Sequence, residues 1–444
     1  MDNTPAPKVT PGSGTRLDSY VDRYAARTAG MTASEIRALF AVASRPEVVS
    51  LAGGMPNISG LPLDVVGSAI ADLIAGNGPV ALAGAVLQGD PTLREQICDV
   101  MRLEGIEAHP DDVVVTVGSQ QAVDLVTRIF CDPGDVVLCE APSYVGALGV
   151  FKSFQCDVVH VEMDADGLVP EALDQAITAV RAAGKTIKFL YTIPNFHNPA
   201  GVTLAPQRRP QVLEICRRHD ILVLEDNPYG LLGFESEPKR ALRADEAEGV
   251  IYLGSFSKTF SPGMRVGWAL APHAVREKLV LAQESATLCP PSFSQMAVST
   301  YLTQHDWQGQ IKQMREMYRE RRDAMMDALR DYMPASCSWN EPDGGFFVWV
   351  TLPPGIDAKA MLPRAVTARV AYVPGTAFFA DGFGSGSMRL SFCYPTPERI
   401  REGVRRLASV LEAEMELRET FGAAAPVRGL GPRSGYDAPS SDLS

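Results

Sequence analysis

The chain has 444 residues, 46% of them hydrophobic and 21% charged, which is the make-up of a globular protein too long for one ordinary core, so one large and one smaller domain are expected. Lys and Arg number 41 against 53 Asp and Glu, a net charge of −12, and an acidic chain with no basic run argues against nucleic acid as a partner. The longest apolar stretches, such as 80–87 and 221–224, are too short to span a bilayer, and the first residues lack the apolar core of a signal peptide, so the cytoplasm is the expected location, with no membrane partner.

Along the chain, residues 1–18 are rich in Pro, Thr and Gly and read as disordered. A helical pattern follows at 33–42, then an extended segment at 48–51 that runs into Gly53 and Gly54. From about 110 to 270, strand and helix signals alternate. Strands are expected at 113–117, 136–138, 158–161, 187–191, 221–225, 250–253 and 265–270, with a helix from 118 and another at 206–219. Continuous apolar strands separated by helices imply a largely parallel sheet covered on both faces. One long helical stretch is expected at 294–330, then a strand at 346–350, a helix at 357–369, strands at 371–373 and 388–392, and a final helix at 396–416. The last residues, rich in Gly, Pro, Ala and Ser, read as a flexible tail. Eight cysteines and six histidines are scattered, without C-x-x-C or H-x-x-x-H spacing, so no metal site is expected.

In open α/β sheets ligands gather at the carboxyl ends of strands, so residues there are the ones to inspect. The segment 255–265 places Lys258 among the hydroxyls of Ser255 and Ser257, with Arg265 seven positions on. A lysine amine can form a Schiff base with an aldehyde, and hydroxyls with an arginine can hold a phosphate; pyridoxal phosphate carries both groups. Gly118-Ser119-Gln120 lies between a strand and a helix, where backbone N–H groups favour a phosphate. Asp226 and Tyr229 follow the strand at 221–225; a carboxylate there can pair with a protonated pyridine nitrogen. Asn198 sits in an Asn-Pro-x-Gly turn that presents its amide rigidly. Each of these has an ordinary alternative when taken alone: a solvated loop, an N-cap serine, exposed turn acids, a plain turn.

Taken together the residues resemble the fold-type I pyridoxal-phosphate enzymes, the aspartate aminotransferase superfamily, and most closely the class I branch with α-aminoadipate and kynurenine aminotransferases. The strings SLAGGMP, QGDPTLRE, VGSQQAVDL, APSYVG, PNFHNPAG, LEDNPYG, GSFSKTFSPGMRVGW, GGFFVWV and MRLSF carry the resemblance over about residues 30–418. It implies an α/β fold with a mostly parallel central sheet in a large cofactor-binding domain and a smaller α+β domain. The expected division is an N-terminal arm at 1–30, a helix and extended segment at 31–65 that contribute to the small domain and substrate pocket, the large domain at 66–295, the small domain at 296–420 and a tail at 421–444. By resemblance Lys258 is the Schiff-base and proton-transfer lysine, Asp226 pairs with the ring nitrogen, Asn198 and Tyr229 bind the ring oxygen, and Tyr144 stacks on the ring. Ser119, Gln120, Ser255, Ser257 and Arg265 hold the phosphate. Arg389 pairs with the substrate α-carboxylate, and Gly53 and Arg37 line the substrate pocket. The implied assembly is a homodimer with active sites at the interface.

One position departs from that pattern. Where the branch carries a tyrosine that reaches the neighbouring subunit's phosphate, this chain has Gly84. Losing such a donor removes on the order of 1.5–3 kcal/mol of charge-assisted hydrogen bonding. The expected activity is transfer of an amino group from an amino acid to a 2-oxo acid. The alternative that Gly84 motivates is elimination, replacement or cyclisation of a bulky amino acid such as S-adenosylmethionine. Regulators that join this fold to a winged-helix domain are a third reading, which the short stretch ahead of the match and the acidic charge disfavour.

Overall fold

The structure, a computed structural model, describes residues 18–32, 39, 43, 45–84, 86–235 and 237–422. The strand β1 (Val49–Ser50) precedes a central sheet of eight strands: β2 (Val113–Val117), β3 (Val136–Ala141), β4 (Asp157–Asp164), β5 (Gly167–Leu168), β6 (Ile187–Thr192), β7 (Leu222–Asp226), β8 (Val250–Ser255) and β9 (Val266–Leu270). Their order is β2-β9-β8-β7-β6-β3-β4-β5. The run β8-β7-β6-β3-β4 is parallel throughout, while β9 is antiparallel to both neighbours and β5 to β4. This is the aspartate aminotransferase-like α/β arrangement that the resemblance implies.

Two-residue alternation explains why these strands read as unbroken apolar runs. Val136 and Leu138 of β3 face a core layer shared with Leu190, Val223 and Val250, under the helices Pro170–Ala182 and Arg208–Arg218. Val137 and Cys139 face the opposite layer with Phe189, Tyr191, Leu224 and Ile251, under the helices Gly118–Phe130 and Val145–Ser153. Both faces are covered, so no position in the strand is free to be polar without a partner.

A second sheet, β10 (Ser338–Trp339), β11 (Phe347–Thr351), β13 (Val373–Pro374) and β14 (Ser387–Ser391), is antiparallel, in the order β10-β11-β14-β13. The helices Trp307–Tyr332 and Pro397–Phe421 pack against it through Tyr318, Met325, Leu329, Val404 and Leu407. The remaining strand, β12 (Val370–Ala371), pairs with β1.

Two sequence expectations need correction, and one helix was not foreseen. The single helix at 294–330 is two, Ser292–Gln304 and Trp307–Tyr332, because Asp306 starts a new helix by accepting from the Gly309 N–H at 3.0 Å. Capping oxygens of this kind compete with the helix they interrupt. The final helix runs to Phe421, five residues past 416. A helix at Leu63–Ala81 has no clear signal in the sequence, since Gly67, Gly76, Gly78 and Pro79 all disfavour it; it bends at Asn77. The helix expected at 33–42 falls, apart from Leu39, outside the described residues, as do residues 1–17 and the tail beyond 422.

Candidate active site

Strand registers place the functional segments along one edge of the central sheet. The parallel strands β6, β7 and β8 end side by side at Thr192, Asp226 and Ser255. Because β9 runs the other way, it begins at that edge: Gly267 is opposite Ser255, and Val266 opposite Val117, the last residue of β2. Residues far apart in sequence, 119, 198, 226, 258 and 265, are thereby brought to one rim.

At the β2–β9 corner, Gly118 has φ +71°, and a Cβ there would lie 2.4 Å from Arg265 Nη2. A Cβ on Gly267 would lie 2.6 Å from the Ser119 nitrogen. Two glycines thus let the start of the helix Gly118–Phe130 press against β9, with Arg265 beside its first backbone N–H groups. Arg265 is itself left-handed (φ 52°) and donates to the Val117 carbonyl at 3.1 Å. The Ser255 hydroxyl donates to Ser257 Oγ at 2.8 Å and accepts from the Ser257 N–H at 3.1 Å. A helix N-terminus, two hydroxyls and a guanidinium form an anion-binding corner. Beside it, the Gln120 amide donates to the Gly146 carbonyl at 2.9 Å, and its oxygen is buried without a partner among the described residues.

The central groups are buried and electrostatically displaced. Lys258 Nζ donates to the Gly54 carbonyl at 2.7 Å and lies 6.0 Å and 5.7 Å from the ring centres of Tyr229 and Phe346. Burial, helped by Arg389 and Arg265, holds its amine down at about 8. Asp226 accepts from the Tyr191 hydroxyl at 2.7 Å through Oδ2, while Oδ1 is buried with no partner among the described residues. Burial pushes its carboxyl up to about 6, against the opposing pull of Tyr191 and Lys258. Tyr144 caps the helix Val145–Ser153, and burial together with nearby Asp226 raises its phenol.

On the opposite wall Arg389, from the middle of β14, reaches across to the central sheet. It donates to Asn198 Oδ1 at 2.9 Å and to the Ala52 carbonyl at 2.6 Å, with Phe347 and Phe378 ring centres 4.1 Å and 5.0 Å from its guanidinium carbon. Its Nε is buried and unpaired among the described residues. Asn198 is held from behind by its neighbour His197, whose Nδ1 accepts from the Ala200 N–H at 3.2 Å. That leaves the proton on Nε2, which donates to Glu140 Oε2 at 2.9 Å; Glu140 also accepts from the Thr192 hydroxyl and the Ile193 N–H.

Of the residues singled out in the sequence, Lys258, Asp226, Asn198, Tyr144, Tyr229, Ser119, Gln120, Ser255, Ser257, Arg265 and Arg389 lie at this rim or facing it. Gly53 lies on the segment that Lys258 and Arg389 both contact through its neighbours, and a Cβ there would meet nothing within 4 Å. Arg37 lies outside the described residues. Sequence reading missed Tyr191, His197, Glu140 and Cys393. Tyr191 had a signal, a polar-tipped residue at the end of an apolar strand. Cys393, whose thiol donates to the Met55 carbonyl at 3.1 Å, had none.

The family model for aminotransferase class I and II matches residues 46–407. The chain belongs to that family. It is 41% identical over 400 residues to aromatic-amino-acid aminotransferase 1 of Thermococcus litoralis, covering 89% of this chain and 96% of the relative. The crystal structure of Pyrococcus horikoshii kynurenine aminotransferase, in complex with PMP, superposes with a TM-score of 0.86 at 37% identity, over 89% of this chain and 98% of that one. An α-aminoadipate aminotransferase from Thermus thermophilus, solved with N-(5'-phosphopyridoxyl)-L-leucine, gives 0.83 at 35%, over 90% and 100%.

The aminotransferase is therefore a pyridoxal-phosphate enzyme that moves the amino group of an amino acid. These relatives lend no support to the S-adenosylmethionine alternative. Its residues fit the cofactor on their own evidence. Asp226 Oδ1 is a buried carboxylate oxygen that lacks a donor, which a protonated ring nitrogen would supply, and the β2–β9 corner presents donors for a phosphate. At Gly84 a Cβ would meet nothing within 4 Å, so within one chain there is room for a larger side chain. No helix among the described residues is long and apolar enough to cross a membrane.

Proposed function

We propose that this aminotransferase passes the amino group of an α-amino acid to a 2-oxo acid, with Lys258 as its catalytic residue. The observation that carries this is one buried lysine, its Nζ 2.7 Å from the Gly54 carbonyl beside the Tyr229 and Phe346 rings, with Asp226 and Arg389 near enough to act on its charge. When bound, pyridoxal phosphate supplies an aldehyde that exchanges nitrogen partners and a ring that takes up negative charge. Ser119, Gln120, Ser255, Ser257 and Arg265 would hold its phosphate, Asp226 its ring nitrogen, and Asn198 and Tyr229 its ring oxygen, with Tyr144 against its face. Arg389 would orient the substrate by its α-carboxylate through two parallel hydrogen bonds, aiming Cα–H at Lys258. The neutral Lys258 amine would then take the Cα proton and return it to the carbon on the other side of the shared nitrogen, so that water can release Cα as a ketone while the nitrogen stays with the cofactor.

Substrates with aromatic or long side chains fit the open position at Gly53 and the activities named for the relatives. The proposed units are the cofactor-binding domain at 66–295 and the small domain at 296–420, preceded by the segment at 31–65. A cytoplasmic location is proposed with them.

Incubating the loaded enzyme with an aromatic amino acid is expected to yield the matching 2-oxo acid and pyridoxamine phosphate, read by chromatography and absorbance. Release of methylthioadenosine from S-adenosylmethionine, without transfer from any simple amino acid, would overturn the proposal.

A homodimer is part of the same proposal. Ile74, Val80, Leu82, Val86, Leu281 and Leu288 are exposed apolar residues along the Leu63–Ala81 helix and the segments next to it. The Ser292 hydroxyl, bonded to the Ala81 and Ala83 carbonyls, ties these segments together. Scattered exposed leucines are ordinary, but a run of them beside an active site suits a second copy of the chain. Sedimentation is expected to show a dimer; a fully active monomer would remove this part.

A further inference from the structure

Behind the rim lies a chain of buried polar side chains that, among the described residues, shares no hydrogen bond with the site's binding groups. Glu104 accepts from the Tyr252 hydroxyl through Oε2 and from the Asn227 amide through Oε1, both at 2.5 Å. Asn227 Oδ1 accepts from the Asn195 amide at 3.0 Å, and Asn195 Oδ1 accepts from Arg209 Nη2 at 2.7 Å. All five residues are buried.

The two ends of this chain fix its direction. Burial pushes the Glu104 carboxyl up to about 7; ionised above that pH it only accepts, and a guanidinium only donates, whereas an asparagine amide does either according to how it is turned. With Glu104 at one end, Asn227 must turn its NH2 group toward the acid and its oxygen toward Asn195. Asn195 must then turn its own oxygen to Arg209. Only one orientation of both amides pairs every group, and in a buried site each mispaired group is costly. The turn above has been kept clear for it: a Cβ on Gly230 would lie 2.0 Å from Glu104 Oε1 and 2.6 Å from Asn227 Nδ2.

The residues it joins are those that set the rim. Asn227 adjoins Asp226, Asn195 lies three positions before Asn198, and Tyr252 lies on β8, which ends at Ser255. We propose that Glu104 is a positioning residue: it sets the direction of an amide relay that holds the loops bearing Asn198, Asp226 and Ser255 at their working spacing. This rests on the site assignment given above.

Asn227→Asp tests it, because it keeps the shape and sets a second acceptor against Glu104. Above about pH 7, where Glu104 is ionised, two carboxylates then stand face to face with no donor between them. The N227D apo-protein, titrated by absorbance at roughly pH 8.5, is expected to bind pyridoxal phosphate about tenfold or more weakly. Adding Glu104→Gln restores the pairing, since the introduced amide would donate to the introduced carboxylate while its oxygen accepts from the Tyr252 hydroxyl. The double variant E104Q/N227D is expected to bind within about threefold of the parent, as the mispaired contact has gone. E104Q alone is expected to have a mild effect, since its amide can turn its oxygen to Asn227 and its NH2 to the Tyr252 hydroxyl, which accepts as well as donates. Should N227D not fold, the double variant must still fold and bind.

A drop in melting temperature with unchanged cofactor affinity in N227D, or a double variant that binds no better than N227D, would sink the relay. The site assignment fails separately, if Lys258→Ala still fixes the cofactor on borohydride reduction.

Discussion

Lys258→Ala is expected to lower amino-group transfer by at least about 10³-fold, since it removes both the nucleophile and the base that moves the proton. Borohydride would no longer join pyridoxal phosphate to the chain, which mass spectrometry reads directly. The pH dependence of the parent follows from the same residue. Only the neutral amine attacks an aldehyde, and burial holds Lys258 at about 8 instead of the ordinary 10.5. A lowered value means more neutral amine at a given pH. Covalent capture of the cofactor by apo-protein is thus expected to rise about tenfold between roughly pH 7 and pH 9 and then level off. A rate that keeps climbing toward the ordinary lysine value would contradict the burial argument.

The second large effect is expected at Asp226. Asn is nearly its shape but carries no charge, so Asp226→Asn would leave a protonated ring nitrogen without its counterion. Removing one partner of a buried pair costs about 3–5 kcal/mol, or roughly a 10²- to 10⁴-fold fall in kcat. Stopped-flow rates of the first half-reaction measure this apart from acceptor binding. Tyr191→Phe, which leaves the charge in place and removes only the 2.7 Å donor to Oδ2, is expected to cost less. Near-parental rates in Asp226→Asn would mean that another group faces the ring nitrogen.

Much of this site is legible because it lies at the ends of strands. Lys258, Asp226, Asn198 and Ser119 each follow an apolar run whose length and β-branching announce a strand, and turns after such runs are where an α/β sheet presents ligands. Arg389 is different. It sits inside β14, where an arginine by pattern is an ordinary ion-pairing residue, and only the resemblance assigned it a role. The structure places it between Phe347 and Phe378, bonded to Asn198 and to the Ala52 carbonyl.

Helix limits were least legible where local chemistry and packing disagree. Gly76, Gly78 and Pro79 weaken the helix Leu63–Ala81, yet Ala69, Leu73 and Ala81 bury one side of it and hold it in place. In the other direction, the periodicity of 294–330 continues through a point where Asp306 stops one helix and starts the next. Burial outweighs propensity in the first case, and a single capping oxygen outweighs periodicity in the second.

The sequence by itself determined the class of sheet, because that depends on short-range alternation and turns, and through its resemblance to a family it implied the cofactor and the residue types at the rim. Tertiary structure alone decided which buried groups stand behind them. Glu104 and Asn227 lie 123 positions apart, Arg389 and Asn198 lie 191, and Lys258 and Gly54 lie 204. No local pattern records such pairs. They exist because a buried donor or acceptor must find a partner, and the fold determines which one is within reach.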